Sequence, residues 1–375
     1  LTADAPRRSP LKFLFSADGW PYILTLAIPL AVVFELTHGD AVAIFAAAAI
    51  GLIPAAAIMG RATEELAARS GPGIGGLLNV TFGNFPELII AFFALQQGLH
   101  EVVKASIAGS IIGNILLVMG ASMLVGGLKR ERQTFNVTAA QAQSTMLLLS
   151  LAALLMPAVY ELVVGTGLPL PGDERINYDS TVEHISFVTS LILIGTYVAG
   201  MIFSLVTHRN LFNPVAEDTE DFHWPVRRSI AVLAGASVVV GLMSEILVGS
   251  ITEASESIGL SEFFVGAFVV AIVGNAAEHW VAVLVAWKNK MDLAVNIAIG
   301  SSAQIALFVA PVLVLASWLV GPHPMPLVFN GFELAALAIA VITANHITSD
   351  GESTWFEGLQ LLALYAVIGG TFYFA

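Results

Sequence analysis

Two glutamates of this sequence lie inside apolar runs, Glu87 in TFGNFPELIIAFFAL and Glu278 in GNAAEHWVAVLVAW. Each follows an asparagine by three residues, so on a helix Asn84 with Glu87, and Asn275 with Glu278, present their oxygens on one face. An ionised carboxylate at the centre of a bilayer costs at least about 2.5–3.5 kcal/mol, so such a residue marks a polar cavity or a path for ions. Gly83, Pro86 and Gly274 weaken a helix at these same points. The backbone carbonyls so freed are tolerated inside a membrane only where they line a protein-walled cavity. Further on, Ser110, Asn114, Ser301, Ser302 and Gln304 offer neutral oxygens beside Gly109 and Gly300. The plain alternative for this second set is helix packing, since Gly109 and Gly113 have small-residue spacing.

This donor inventory is two carboxylates, several amide and hydroxyl oxygens, no sulfur and little imidazole. Hard cations take such a set, and Ca²⁺ takes about 6–8 oxygens in an adaptable cage. Two glutamates balance one Ca²⁺ in charge. Without it they would repel one another in a desolvated site and take up protons instead. Competition between Ca²⁺ and H⁺ for one pair of carboxylates is the physical basis of antiport, with Ca²⁺ as cargo, H⁺ as counter-ion and no organic cofactor. His279 directly follows Glu278 and so faces elsewhere, which suits a proton path or a supporting role better than ligation. Glu245 and Glu333 lie nearer span ends, where a lone carboxylate snorkels or serves as a hydrogen bonder in helix packing. The run Glu217, Asp218, Glu220 and Asp221 reads as a solvated loop or as a peripheral, regulatory cation-gathering patch.

The elements that must position these residues are membrane spans. Of 375 residues, 57% are apolar and 11% charged, with a mean hydropathy of +0.84. Soluble domains carry about 25% charged residues. Eleven apolar segments stand out: M1 21–37, M2 41–66, M3 74–96, M4 101–127, M5 135–157, M6 180–207, M7 228–250, M8 263–287, M9 291–319, M10 326–347 and M11 355–374. They are continuous rather than alternating, which predicts an all-α integral membrane fold and not a β-barrel. With this topology 13 of the 15 Lys and Arg residues fall on one side, and only Lys104 and Arg175 on the other. That asymmetry places the N-terminus and the acidic run in the cytoplasm and the C-terminus outside. The stretch LTADAPRRSPLKF has no apolar core of a signal peptide. The absence of cysteine excludes disulfides and thiolate metal sites. The net charge of −13 argues against nucleic acid and suits inorganic cations as partners, with the lipid bilayer as surroundings. A Cys-free, Ala-rich chain leans towards a prokaryotic inner (plasma) membrane; oligomeric state is not legible.

The spans repeat. At an offset of 191, Gly83, Asn84 and Glu87 align with Gly274, Asn275 and Glu278, and Gly109-Ser110 with Gly300-Ser301. Phe135-Asn136 and Phe329-Asn330 echo each other after a three-residue slip. The predicted layout is a tail with M1 (1–40), a first five-helix unit (41–207), an acidic linker (208–227) and a second five-helix unit (228–375). Five is odd, so the units insert with opposite orientation, and inverted repeats place paired sites near the midplane.

The stretches GNFPELIIAFFALQQGLHEVVKASIAGSIIGNILLVMG and GNAAEHWVAVLVAWKNKMDLAVNIAIGSSAQIALFVAPVLVLAS resemble the two signature repeats of the cation/Ca²⁺ exchanger superfamily, above all its Ca²⁺/H⁺ antiporter (CAX) branch. The most specific part is Gly274 to His279, and the resemblance covers the whole chain. It implies that Glu87 and Glu278 alternately bind Ca²⁺ and protons. It also implies that Asn84, Asn275, Ser110, Ser301 and Gln304 line a hydrophilic cavity, and that residues 217–221 form a cytosolic acidic helix. The first motif departs from the usual Gly-Asn-Ala-Thr-Glu at Phe85 and Pro86, and Trp280 stands where a small residue is usual, which predicts a narrower path or altered selectivity. Two alternatives stay open. One is an exchanger driven by Na⁺ or carrying Na⁺, K⁺ or Mn²⁺. The other is an intramembrane carboxylate-dependent hydrolase. The sequence HEVVK lacks the second histidine of a zinc protease, and a one-sided catalyst has no need of an inverted duplication.

Overall fold

A computed structural model describes residues 19–69, 78, 81–173, 179–207 and 224–375. The acidic run Glu217, Asp218, Glu220 and Asp221 and the N-terminal tail lie outside the described residues. Helices fall where the apolar segments are. They are α1 (Ala27–Leu36, after a 3₁₀ turn Trp20–Leu26), α2 (Ala41–Arg69), α3 (Phe85–Gln96), α4 (His100–Gly127), α5 (Val137–Val163), α6 (Ser180–Ile202), α7 (Val226–Ile258), α8 (Glu262–Trp287), α9 (Met291–Ser317), α10 (Gly331–Ile347) and α11 (Trp355–Phe374). Eight described helices, α2, α4 to α9 and α11, are long and apolar enough to cross a membrane. Three shorter apolar helices occupy the places of M1, M3 and M10.

Local chemistry sets the helix ends. Asp179 caps α6 by accepting from the backbone N–H and the hydroxyl of Thr181 at 2.9 and 3.0 Å. Those bonds, the backbone one first, hold its exposed carboxyl below the usual carboxylate range. Helix α7 stops at Gly259, whose φ of +71° suits a residue without a side chain. Capping boxes start α10 (Asn330 with Glu333) and α11 (Thr354 with Glu357). Arginine-rich residues after α4 pair back at the same end of the molecule: Arg132 bonds both oxygens of Glu352 at 2.8 and 3.0 Å. That pair flanks a two-residue antiparallel ladder, Gln133 opposite Ser353 and Thr134 opposite Glu352.

Helices α2 and α7 pack along each other. Helix α4 lies against α8, α9 and α11, and α5 lies against α9 and α10. The α4–α8 crossing is tight. A Cβ on Gly109 would run into the backbone at Ala267. Gly109 therefore serves close packing of two backbones, the small-residue device of membrane helices. Buried Phe263, Phe329 and Phe372 fill space nearer the helix ends. Phe263 stacks on Phe372 with centroids 4.6 Å apart.

Of the two end-of-span glutamates, Glu333 is the buried hydrogen bonder and does not snorkel: its Oε2 accepts from the Asn330 backbone at 2.8 Å. Glu245, by contrast, is exposed. Lys104 is buried and paired with Glu101 at 3.1 Å.

Candidate cation site

The first motif breaks its helix as expected. Residues 81–83 are helical, Asn84 turns out of the helix at φ −94° and ψ 17°, and α3 starts at Phe85. Pro86 occupies the first turn of α3, where its missing N–H leaves no bond unmade. Phe85 meets Phe82 edge-on, centroids 5.3 Å apart, across the break. These two residues thus build the restart of the helix. Glu87 stands in the first turn of α3, not at mid-helix. The second motif does not break: Ala271–Trp287 runs unbroken through Gly274. Its irregularity is a π-helical turn one step earlier, Val265–Val270. Two further π turns, Gly113–Val118 and Ile305–Val309, follow Ser110 and Gln304. Such turns redirect side chains and recur at functional sites.

Each motif's glycine faces the other motif's glutamate. A Cβ on Gly83 would lie 3.3 Å from Glu278 Oε1, and one on Gly274 would lie 3.2 Å from Glu87 Cγ. Asparagine nitrogens are used up across the same interface. Asn84 Nδ2 donates to Gln304 Oε1 at 2.5 Å. Asn275 Nδ2 donates to Ser110 Oγ at 3.1 Å and to Ala271 O at 2.9 Å. Ser301 Oγ donates to Glu278 Oε2 at 2.8 Å. With their nitrogens committed, the amides leave their oxygens free. Among the described residues, Asn84 Oδ1, Asn275 Oδ1 and Glu87 Oε2 are buried with no hydrogen-bond partner. Buried oxygens are normally satisfied, and oxygens left without a donor are of the kind a hard cation takes as ligands. No three His, Asp or Glu side chains converge among the described residues, so a cation here would depend on two carboxylates and neutral oxygens.

The predicted set is therefore brought together: Gly83, Asn84, Glu87, Ser110, Gly274, Asn275, Glu278, Ser301 and Gln304 connect through these contacts. His279 turns aside, its Nε2 3.1 Å from Asn114 Oδ1. Ser302 bonds backbone carbonyls of Ala298 and Ile111 at 2.9 and 3.5 Å and is a packing residue. Trp280 is 37% exposed on the surface of α8. The site is lopsided. Glu87 is 7% exposed and adjoins a small cavity lined by Ser106, Ile107 and Ile305, whereas Glu278 is only half-buried. Two residues were missed by sequence reasoning: Ser106 in that cavity and Gln143 beside Gly300. Ser106 is one helical turn from Ser110, a signal that was available; Gln143 lies outside the repeated motifs.

The family model of sodium/calcium exchanger proteins matches residues 41–206 and again 228–374. A Ca²⁺/H⁺ antiporter of Aphanothece halophytica is 44% identical over 94% of this chain and 95% of its own length. The Ca²⁺/H⁺ antiporter ChaA of Bacillus subtilis (strain 168) is also 44% identical, over 94% of this chain and 98% of its own. The structure of native YfkE superposes with a TM-score of 0.80 at 42% identity, covering 95% of this chain and all of that one. The chain belongs to the sodium/calcium exchanger protein family and is an integral membrane transporter.

Proposed function

We propose that the chain exchanges Ca²⁺ for H⁺ by alternating access, with Glu87 and Glu278 as the carboxylates that hold either ion. The observation that carries this reading is the reciprocal packing of Gly83 on Glu278 and Gly274 on Glu87, around buried oxygens of Asn84, Asn275 and Glu87 with no partner. Both carboxylates ionised in one desolvated site carry two uncompensated charges. One divalent cation cancels both, and so does a proton on each. Ser301 steadies the ionised form of Glu278, while Gln304 and Ser110 hold the amides with their oxygens turned inward. His279 and Asn114 would form a polar step beside Glu278 for protons. The relatives described as Ca²⁺/H⁺ antiporters, similar over nearly the whole chain, support this assignment of ions.

The layout follows the same reading. Eleven spans, M1 with two inverted units at 41–207 and 228–375, are supported by one family model matching twice and by the reciprocal contacts between motifs. The N-terminus then faces the cytoplasm and the C-terminus the outside of a bacterial plasma membrane, with Glu217, Asp218, Glu220 and Asp221 as a cytoplasmic cation-gathering patch. The test is Ca²⁺ flux in vesicles under an imposed pH gradient. Glu87→Gln and Glu278→Gln should each abolish exchange. Wild-type flux in either variant, or flux that needs Na⁺ and ignores the pH gradient, would overturn the proposal.

A further inference from the structure

The Phe-Asn echo at 135–136 and 329–330 has a structural counterpart away from the cation site. Asn136 and Asn330 are the N-caps of α5 and α10. Each also receives a carboxylate from the other unit. Glu101, at the start of α4, accepts from Asn330 Nδ2 at 3.1 Å. Asp292, at the start of α9, accepts from the backbone N–H of Asn136. Glu101 and Asp292 are related by the 191-residue offset, and the asparagines by the slipped offset of 194. So the bridges form a pseudo-symmetric pair, one at each end of the molecule. Each ties a helix bearing site residues (Ser110 and Asn114 on α4, Ser301 and Gln304 on α9) to a helix of the opposite unit.

The two ends differ in strength. At the Glu101 end every partner is buried: Glu101 also pairs with Lys104 at 3.1 Å, and Lys104 donates to Val328 O at 3.1 Å. Breaking a buried ion pair strands a charge and is costly. At the other end both Asn136 and Asp292 are exposed, and the bond competes with water.

We propose that Glu101 and Asp292 are positioning residues that keep α4 fastened to α10 and α9 fastened to α5 throughout the transport cycle. This rests on the exchange reading above, because α4 and α9 carry Ser110 and Ser301, whose placement matters only if the site binds the exchanged ions.

The chain has no cysteine, so Asn136→Cys combined with Asp292→Cys supplies the sole two thiols. The purified protein is reconstituted, and Ca²⁺ uptake driven by a pH gradient is measured before and after a short thiol cross-linker, and again after reduction of a cleavable one. The thiol pair before linking should run several-fold slower than the native chain, and linking should restore the rate to within about two-fold. Uptake that stops on linking and returns on reduction would overturn the proposal, and so would a lowered rate that linking leaves unchanged. Should the double variant fail to fold, Asp292→Asn and Asp292→Leu decide. Asparagine keeps the acceptor and should stay within about two-fold of native, while leucine should lower the maximal rate several-fold at unchanged KM. Equal loss in both would again overturn it. A native chain that moves no Ca²⁺ fails the exchange reading instead, which separates the two outcomes.

Discussion

Substituting Gly274 by alanine adds one methyl group where the site has no room for it. Its Cβ would lie 3.2 Å from Glu87 Cγ, against an optimal carbon–carbon separation of about 3.5–4.0 Å. The atom it meets is near the root of the Glu87 side chain, so the carboxylate cannot swing clear without moving as a whole. Gly83→Ala is the internal control. Its Cβ would lie 3.3 Å from Glu278 Oε1, a terminal atom that rotation about one bond can displace. Overpacking in a well-packed interior costs about 1–3 kcal/mol, which corresponds to roughly 5- to 150-fold in cation affinity. Gly274→Ala should therefore raise the KM for Ca²⁺ by about 5- to 150-fold, and Gly83→Ala by less than about five-fold. Alanine is a better helix former than glycine by about 0.5–1 kcal/mol, which offsets part of the overpacking cost to the fold, so KM is compared in variants matched for the amount of folded protein. The assay is Ca²⁺-dependent discharge of a pH gradient in everted vesicles, fitted for KM at fixed pH. An unchanged KM in Gly274→Ala, or a larger effect in Gly83→Ala, would refute the reciprocal glycine–glutamate geometry.

Other substitutions probe the remaining contacts. Ser301→Ala removes a charge-assisted bond worth about 1.5–3 kcal/mol and should raise the Ca²⁺ KM by about ten-fold or more, with recovery in Ser301→Thr, measured by the same discharge assay. His279→Leu should slow proton-driven uptake, and His279→Gln tells why: activity near native means that a donor to Asn114 suffices, whereas loss in both means that the ring itself carries protons. Lys104→Met leaves Glu101 buried without its cation and should lower stability by about 3–5 kcal/mol, read as a fall in thermal midpoint in detergent. Trp280→Ala, on the surface of α8, should leave the Ca²⁺ KM within about two-fold of native in the flux assay.

The candidate cation site was legible because its costs are visible in sequence. A glutamate in a lipid-length apolar run demands an explanation, and the 191-residue offset supplied its partner. The contacts themselves were not legible. An offset identifies equivalent residues, but the bonds run between non-equivalent ones: Asn84 with Gln304, Asn275 with Ser110, and His279 with Asn114. Equivalence at 191 would have paired Asn84 with Ser301, yet Ser301 serves Glu278. The helix break expected at both motifs occurs at Asn84 and is replaced by a π turn before Gly274, because only the first motif carries a proline. The buried Glu101–Lys104 pair escaped notice: near a loop, charges read as solvated, and only the approach of α10 encloses them.

The central claim is that one pair of carboxylates serves both ions. It is tested most directly by reconstituting the native chain in vesicles without Na⁺ and following Ca²⁺ entry and lumenal pH together. The account predicts that a pH gradient drives Ca²⁺ against its own gradient, that each Ca²⁺ movement is matched by opposite proton movement, and that Glu87→Gln and Glu278→Gln lose both signals at once. Ca²⁺ entry with no accompanying proton flux, or a variant that keeps one signal and loses the other, would contradict it.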